Sequence, residues 1–208
     1  SAKVWLCKAR LRLAEALRAS GALEQALDQV RQAHADAAAL LNDNPAGAEH
    51  RRLLAAMKIS VARLLGDPTG LNLLKPREAI QYAAEAYSLT EQAASADPAD
   101  VLALHDLVSA ARVLGVLLAA KDPERAAALH RRGITALARH ASLRVQSIEF
   151  AYHESVLNAC LGMVLKEQSR LREAVSHLRS ALALQEEISR KDPSRLLFRR
   201  SAGKTHLL

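Results

Sequence analysis

The chain has 208 residues, 50% of them apolar and 25% charged, and a formal charge of +7. That composition is globular and excludes a disordered chain. With one Trp, three Tyr and two Phe it holds too few aromatic residues for a β-rich fold, and too few stacking platforms for a protein that binds single-stranded nucleic acid.

Taken in chain order, apolar residues recur at i, i+3, i+4 and i+7 in pairs of segments, each the pattern of an amphipathic helix. The first helix of each pair is predicted over 4–19, 46–65, 101–120 and roughly 143–167. The second begins at an alanine: Ala26, Ala79, Ala126 and Ala174, in steps of 53, 47 and 48 residues. Three second segments, 26–45, 79–98 and 174–193, align without gaps from alanine to proline, and the copy at 126–140 lacks the proline. A fixed period of this kind is the mark of a repeat architecture. Small residues, Ala14, Ser60, Gly115 and Gly162, stand near the middle of the first helices. Close approach of the partner helix there explains a helix-interior glycine that otherwise costs about 1 kcal/mol. The dipeptides Asn44-Pro45, Asp97-Pro98 and Asp192-Pro193 read as helix starts, the Asn or Asp accepting backbone N–H groups and the proline filling the first turn. Residues 194–208 begin a further first helix.

The remaining residues carry little catalytic chemistry. The longest uncharged apolar run, 113–120, is far short of the roughly 20 residues that cross a bilayer, so a water-soluble chain is expected. Ser1 is not followed by the basic-then-apolar order of a signal peptide. Cys7 and Cys160 read as buried free thiols in apolar helices. The eight histidines form no zinc-hydrolase pair and are read as surface or boundary residues, so neither a metal nor a cofactor is expected. The segment 66–74 holds two glycines without a following Lys-Ser/Thr, a poor phosphate cradle; it reads as a long turn forming a lip beside the repeat. Basic residues are scattered as doublets, which weighs against nucleic acid.

The small residue of the first helix, the opening alanine of the second, a second small residue at Ala33, Ala86, Gly133 and Ala181, and the closing prolines together resemble a tetratricopeptide-repeat protein. The period is near 48 rather than 34, and the usual aromatics are reduced to Trp5, Tyr82 and Tyr87. The resemblance implies an all-α, right-handed superhelix of antiparallel helical hairpins in one domain over 1–208. The hairpins fall at about 2–44, 45–97, 98–141 and 142–192, with a partial helix at 193–208. Segments 11–27, 65–86 and 97–100 are also similar to repeats that follow the kinase domain of some bacterial serine/threonine kinases. No Gly-rich nucleotide loop, His-Arg-Asp or Asp-Phe-Gly is present, so a kinase domain would lie elsewhere and this chain is expected to be non-catalytic. Cytoplasmic placement is favoured, and an extracytoplasmic one stays open if the repeats belong to a membrane kinase.

Repeats of this kind bind on the concave surface lined by the first helices. Counting round those helices brings Lys8, Leu11, Arg12, Glu15 and Arg18 inward in the first hairpin. Met57, Lys58 and Val61 follow in the second, Arg112 and Val116 in the third, and Ala159 and Met163 in the fourth. The wall is expected to be basic at one end and apolar beyond it, suited to an amphipathic helix or extended apolar segment of some acidic character. Where chaperone-binding tetratricopeptide domains hold a terminal carboxylate with Lys and Asn, this chain has Leu11, Glu15, Met57 and Val61, so that clamp is not expected. For the apolar wall residues, core packing is the competing reading. Leu196, Leu197 and Phe198 form an apolar stripe that a second copy or further repeats would cover. The functions that fit are a protein-binding or scaffold module, a ligand-responsive sensor and a nucleic-acid-associated helical repeat, the first preferred.

Overall fold

The computed structural model describes residues 2–140 and 147–191, and among these the chain forms eight helices and no strand. They are α1 (Ala2–Ala19), α2 (Leu23–Asp43), α3 (Ala48–Gly66), α4 (Pro76–Ala96), α5 (Val101–Leu118), α6 (Pro123–Ala138), α7 (Ile148–Glu167) and α8 (Leu171–Lys191). The contacts divide the chain into two units, Ser1–Leu117 and Leu118–Leu208, so the predicted third hairpin, α5 with α6, straddles the division. Leu196, Leu197, Phe198 and Asp192-Pro193 lie outside the described residues.

In the first unit α1 packs on α2, α3 on α4, and α2 on α3. The pairs are antiparallel. Val4 and Cys7 in the first half of α1 share a core cluster with Ala37 and Leu40 in the second half of α2, and Gly66 at the end of α3 meets Ala79 near the start of α4. The turn between α1 and α2 uses Gly21 at φ 87, where the chain reverses with Ala22 N–H bonded to Leu17 O. In the second unit α7 packs antiparallel on α8, and α6 packs on α7. Consecutive helical hairpins of tetratricopeptide-like kind are therefore what α1 to α4 form in the first unit, while the second unit's described helices form one such hairpin, α7 with α8, with α6 packed on it.

The recurring small residues occupy the packing positions expected of them. Ala26, Ala79, Ala126 and Ala174 are all buried, as are Ala33, Ala86, Gly133 and Ala181. A Cβ added at Gly162 would stand 2.7 Å from Leu178 Cγ and 3.2 Å from the Ala174 carbonyl oxygen, so α7 and α8 touch there backbone to backbone. Large aliphatic side chains, among them Leu27, Met57, Leu65, Leu157, Leu161 and Ile188, fill the interior beside these small residues.

Several expectations are corrected. Asn44 and Asp97 end helices rather than begin them, each N–H closing the last turn on Leu40 O and Ala93 O. Asx-Pro suits either boundary, because proline cannot continue the helix before it. α5 is capped instead by Asp100, whose carboxylate accepts the N–H groups of Leu102 and Ala103 at 2.8 and 3.1 Å. A true Asp-Pro start occurs at Asp122-Pro123, where Asp122 accepts from Arg125 N–H at 3.1 Å. Every second helix begins three residues before its predicted alanine, α2 at Leu23, α4 at Pro76, α6 at Pro123 and α8 at Leu171. His130 is fully buried in α6 rather than at the surface, and of the two free thiols only Cys7 is fully enclosed. Burial, with Asp36 adding, pushes the Cys7 thiol above its ordinary pKa. One described helix, α5, is long and apolar enough to cross a membrane, at mean hydropathy 1.8. Counting uncharged runs misses it because Asp106 and Arg112 interrupt the run, and 61% of the helix is buried in the fold, as in a core helix.

Candidate functional site

The first helices of the first unit lie side by side in the same direction. Lys8 of α1 reaches Glu49 of α3 at 3.3 Å, and Arg52 of α3 reaches Asp106 of α5 at 2.6 Å. Between α1, α3 and α5 runs a groove of about 750 Å³. Its apolar wall includes Leu11, Leu53, Ala56 and Met57, and Trp5 stands at it with 73% of its surface in solvent. Such a side chain is costly to leave in water and is typical of an anchor at a protein interface.

The polar lining consists of three cations, Lys8, Arg12 and Arg52, and three carboxylates, Glu15, Glu49 and Asp106. Every cation is paired. Besides the two bridges between helices, Arg12 binds Glu15 at 2.9 Å within α1, and the Lys8 ammonium lies 5.5 Å from the Trp5 ring centre. The expected basic end is thus neutralised by neighbours that the one-dimensional reading does not join to it. Arg52 with Asp106 is the least exposed of these pairs, and a half-buried ion pair of that geometry loses less to solvent than the others do.

The predicted wall residues divide. Lys8, Leu11, Arg12, Glu15 and Met57 line the groove. Met57 is also fully buried in the core formed with Val4, Cys7, Leu40 and Leu53, so it serves as floor. Val61 is fully buried and closes the core rather than the groove. Lys58 points away toward the second helices, its ammonium 2.5 Å from Glu85 Oε2 and 5.6 Å from the Tyr82 ring centre on α4. The hydrogen bond from Lys58 holds Glu85 below the usual carboxylate pKa. Tyr82 in turn meets His34 of α2 edge-on, and burial, with Lys58 adding, holds His34 below the ordinary histidine value. Arg112 and Val116 are half-buried on α5; Ala159 and Met163 are half-buried on α7 in the other unit.

Arg18 lies beyond the groove, where its Nε donates to the Leu71 carbonyl at 2.9 Å. That carbonyl belongs to the loop between α3 and α4, which is no anion cradle, because a carboxylate of the loop itself takes its donors. Buried Asp67 accepts from the Thr69 N–H at 2.9 Å and hydroxyl at 2.6 Å. Asn72 donates to the Asp67 and Gly70 carbonyls and accepts from Leu74 N–H. Leu71 and Leu74 stand exposed on the loop's outer side.

Trp5, Glu49, Arg52 and Asp106 are not among the wall residues expected from sequence. Trp5 is within reach of it, since Trp5, Lys8, Arg12 and Glu15 form one stripe at i, i+3, i+7 and i+10 of α1. The other three need the lateral order of α1, α3 and α5.

No protein-family model matches the chain, and no curated relative does. Among solved structures the chain is similar to a thermophilic TPR protein from Thermus thermophilus, with 16% identity over 97% of this chain and 100% of that one and a TM-score of 0.41.

Proposed function

We propose that this chain is a non-catalytic protein-interaction module, and that its α1–α3–α5 groove takes an amphipathic helix from a partner protein. The observation that carries the reading is the exposed Trp5 beside an apolar floor of Leu11, Leu53, Ala56 and Met57. An apolar trough with an aromatic anchor and a charged rim is the recognition mode of a helix in a groove, read by residues at i, i+3, i+4 and i+7 of the ligand. Because the rim charges are already paired, specificity rests on apolar fit first. The same pairing disfavours nucleic acid, whose phosphates need cations that are free to meet them. The resemblance of 11–27 and 65–86 to repeats behind bacterial kinase domains supports a regulatory place for the module in such a chain.

Trp5 is the one tryptophan of the sequence, which makes it a built-in reporter. Helical peptides selected by display on the protein should blue-shift its fluorescence saturably. Replacing Trp5 with Ala should weaken their binding about 30-fold, the effect of losing about 2 kcal/mol at a central anchor. Selected peptides that bind the Trp5→Ala protein undiminished would show that the groove is not the docking face.

A further inference from the structure

Beside the groove, α1 carries a second apolar stripe. Leu6 and Leu13 are 46% and 48% exposed, and Ala9 and Ala16 are exposed with them. The register of the hairpins shows what this stripe is for. The residue before each second helix donates its N–H to a leucine carbonyl late in the first helix: Ala22 to Leu17, Lys75 to Leu65, Asp122 to Leu118 and Arg170 to Leu165. Four residues before those leucines stand Leu13, Val61, Leu114 and Leu161, and eight before them Ala9, Met57, Ala110 and Leu157. On α3, α5 and α7 both positions are buried, and on α1 both stand in solvent. In each unit the cover comes from a preceding second helix. Ala37 and Leu40 of α2 share a core cluster with Leu54 and Met57 of α3, and a Cβ on Gly133 of α6 would stand 2.8 Å from Leu157 Cδ1 of α7.

The matching face of a second helix is uncovered on α8. One residue after the opening alanines stand Leu27, Ile80, Ala127 and Val175. Leu27 and Ala127 are fully buried and Ile80 is half-buried, whereas Val175 is 46% exposed and Leu171, a turn earlier, 60%. We propose that α1 of one copy packs against α8 of a second copy, as α3 packs on α2, so that copies of this chain associate head to tail. The two surfaces fit in volume and in charge. Val30 of α2 and Leu64 of α3 line one cleft. Their counterparts are Leu178, the larger, on α8 and Ala16, the smaller, on α1. Glu186 of α8 takes the place of Ala38, which packs on the cluster that holds Leu54. Leu54 corresponds to Leu6, and Lys3 lies one turn from Leu6, so opposite charges meet there. Contact removes the exposed Leu6, Leu13, Leu171 and Val175 from water. Because the two faces differ, the interface is heterologous and is not completed by two copies. The inference goes beyond the groove reading and uses neither Trp5 nor the groove.

Analytical ultracentrifugation of the full chain over a range of concentrations tests it, with Leu13→Lys, Val175→Glu and an equimolar mixture of the two. The wild type is expected to rise in mass with concentration and to pass the dimer. Each variant, altered at an exposed residue, should associate about 30-fold more weakly, the effect of one lost hot-spot side chain. In the mixture Leu13→Lys supplies an intact α8 and Val175→Glu an intact α1, so association should return and stop at one of each. Should Leu13→Lys fold poorly by circular dichroism, Leu6→Lys blocks the same face. A wild type that stays monomeric, variants that associate as the wild type does, or a mixture no better than its components overturns the inference. So does a Val175→Glu protein that still dimerises alone, which would place α1 against α1.

Discussion

Gly162→Ala isolates what the small residues of this repeat do. Alanine in place of a helix-interior glycine favours the helix by up to about 1 kcal/mol. Here the added Cβ lies 2.7 Å from Leu178 Cγ, 2.9 Å from Leu178 Cδ2 and 3.2 Å from the Ala174 carbonyl oxygen. A branch point and a backbone atom cannot both step aside by rotation, so α7 and α8 must part, and overpacking of that sort costs about 1–3 kcal/mol. The net expectation is a loss of about 1 kcal/mol, which lowers the melting temperature by about 2–4 °C for a chain of this length. Gly133→Ala is the control. The three atoms nearest its Cβ all belong to Leu157, the methyl Cδ1 at 2.8 Å being closest, and cost and gain of about 1 kcal/mol each nearly cancel. Thermal and urea unfolding followed by circular dichroism measures both. Adding Leu178→Ala to Gly162→Ala should recover part of the loss, a coupling within the range of about 0.5–3 kcal/mol seen for touching residues. A Gly162→Ala protein as stable as the wild type, or a Gly133→Ala protein that suffers more, would refute the reasoning that α7 and α8 meet through the missing side chain.

Met57→Ala should cost about 2–5 kcal/mol in urea unfolding, because Met57 is fully buried, whereas Trp5→Ala should stay within about 0.5 kcal/mol of the wild type. Asp67→Ala should destabilise the first unit by about 1–3 kcal/mol, since the Thr69 donors and Arg63 lose their acceptor in a buried place. Stability should fall with acidification in two stages. Burial, reinforced by Lys58 for His34 and by Arg131 for His177, holds both below 6.5 while Glu85 and Glu173 pull the other way, so the unfolded chain takes up these protons first. Their contribution is complete above pH 6.5 and declines below it. Glu85, held below 4.5 chiefly by its hydrogen bond from Lys58, adds a loss only at still lower pH. His34→Asn should flatten the first stage, and stability that rises between about pH 7 and 5.5 would contradict it.

How far the chain can be read in one dimension follows from which interactions are periodic. Ala26, Ala79, Ala126 and Ala174 recur because every hairpin needs the same close contact, so pairing and helix type are legible and burial agrees with them. Boundaries are less so: Asn44 and Asp97 obey the same local chemistry at a helix end as at a helix start, and the three residues after each proline decide between them. For the groove, counting from Ala14 brings Lys8, Leu11, Arg12 and Glu15 to the face that lines it. The same offset, two residues before the small residue, brings Arg12 to the groove but turns Lys58 toward Glu85 and Tyr82 on α4, so counting from the small residue alone does not fix the face. What stays hidden is lateral. That Glu49 answers Lys8, or that the Leu71 carbonyl holds Arg18, depends on neighbours 41 and 53 residues away in the chain.

The loop between α3 and α4 shows what such a distant tie achieves. Leu74 sits at φ 57 with 84% of its surface exposed, yet the backbone either side of it is bonded to Leu64 O and Leu65 O, and Arg18 clasps the loop at Leu71. Its shape is set before anything touches it. Two leucines are thereby displayed on a rigid mount, and a neighbour that seats against them gains contact without having to freeze a wandering segment first.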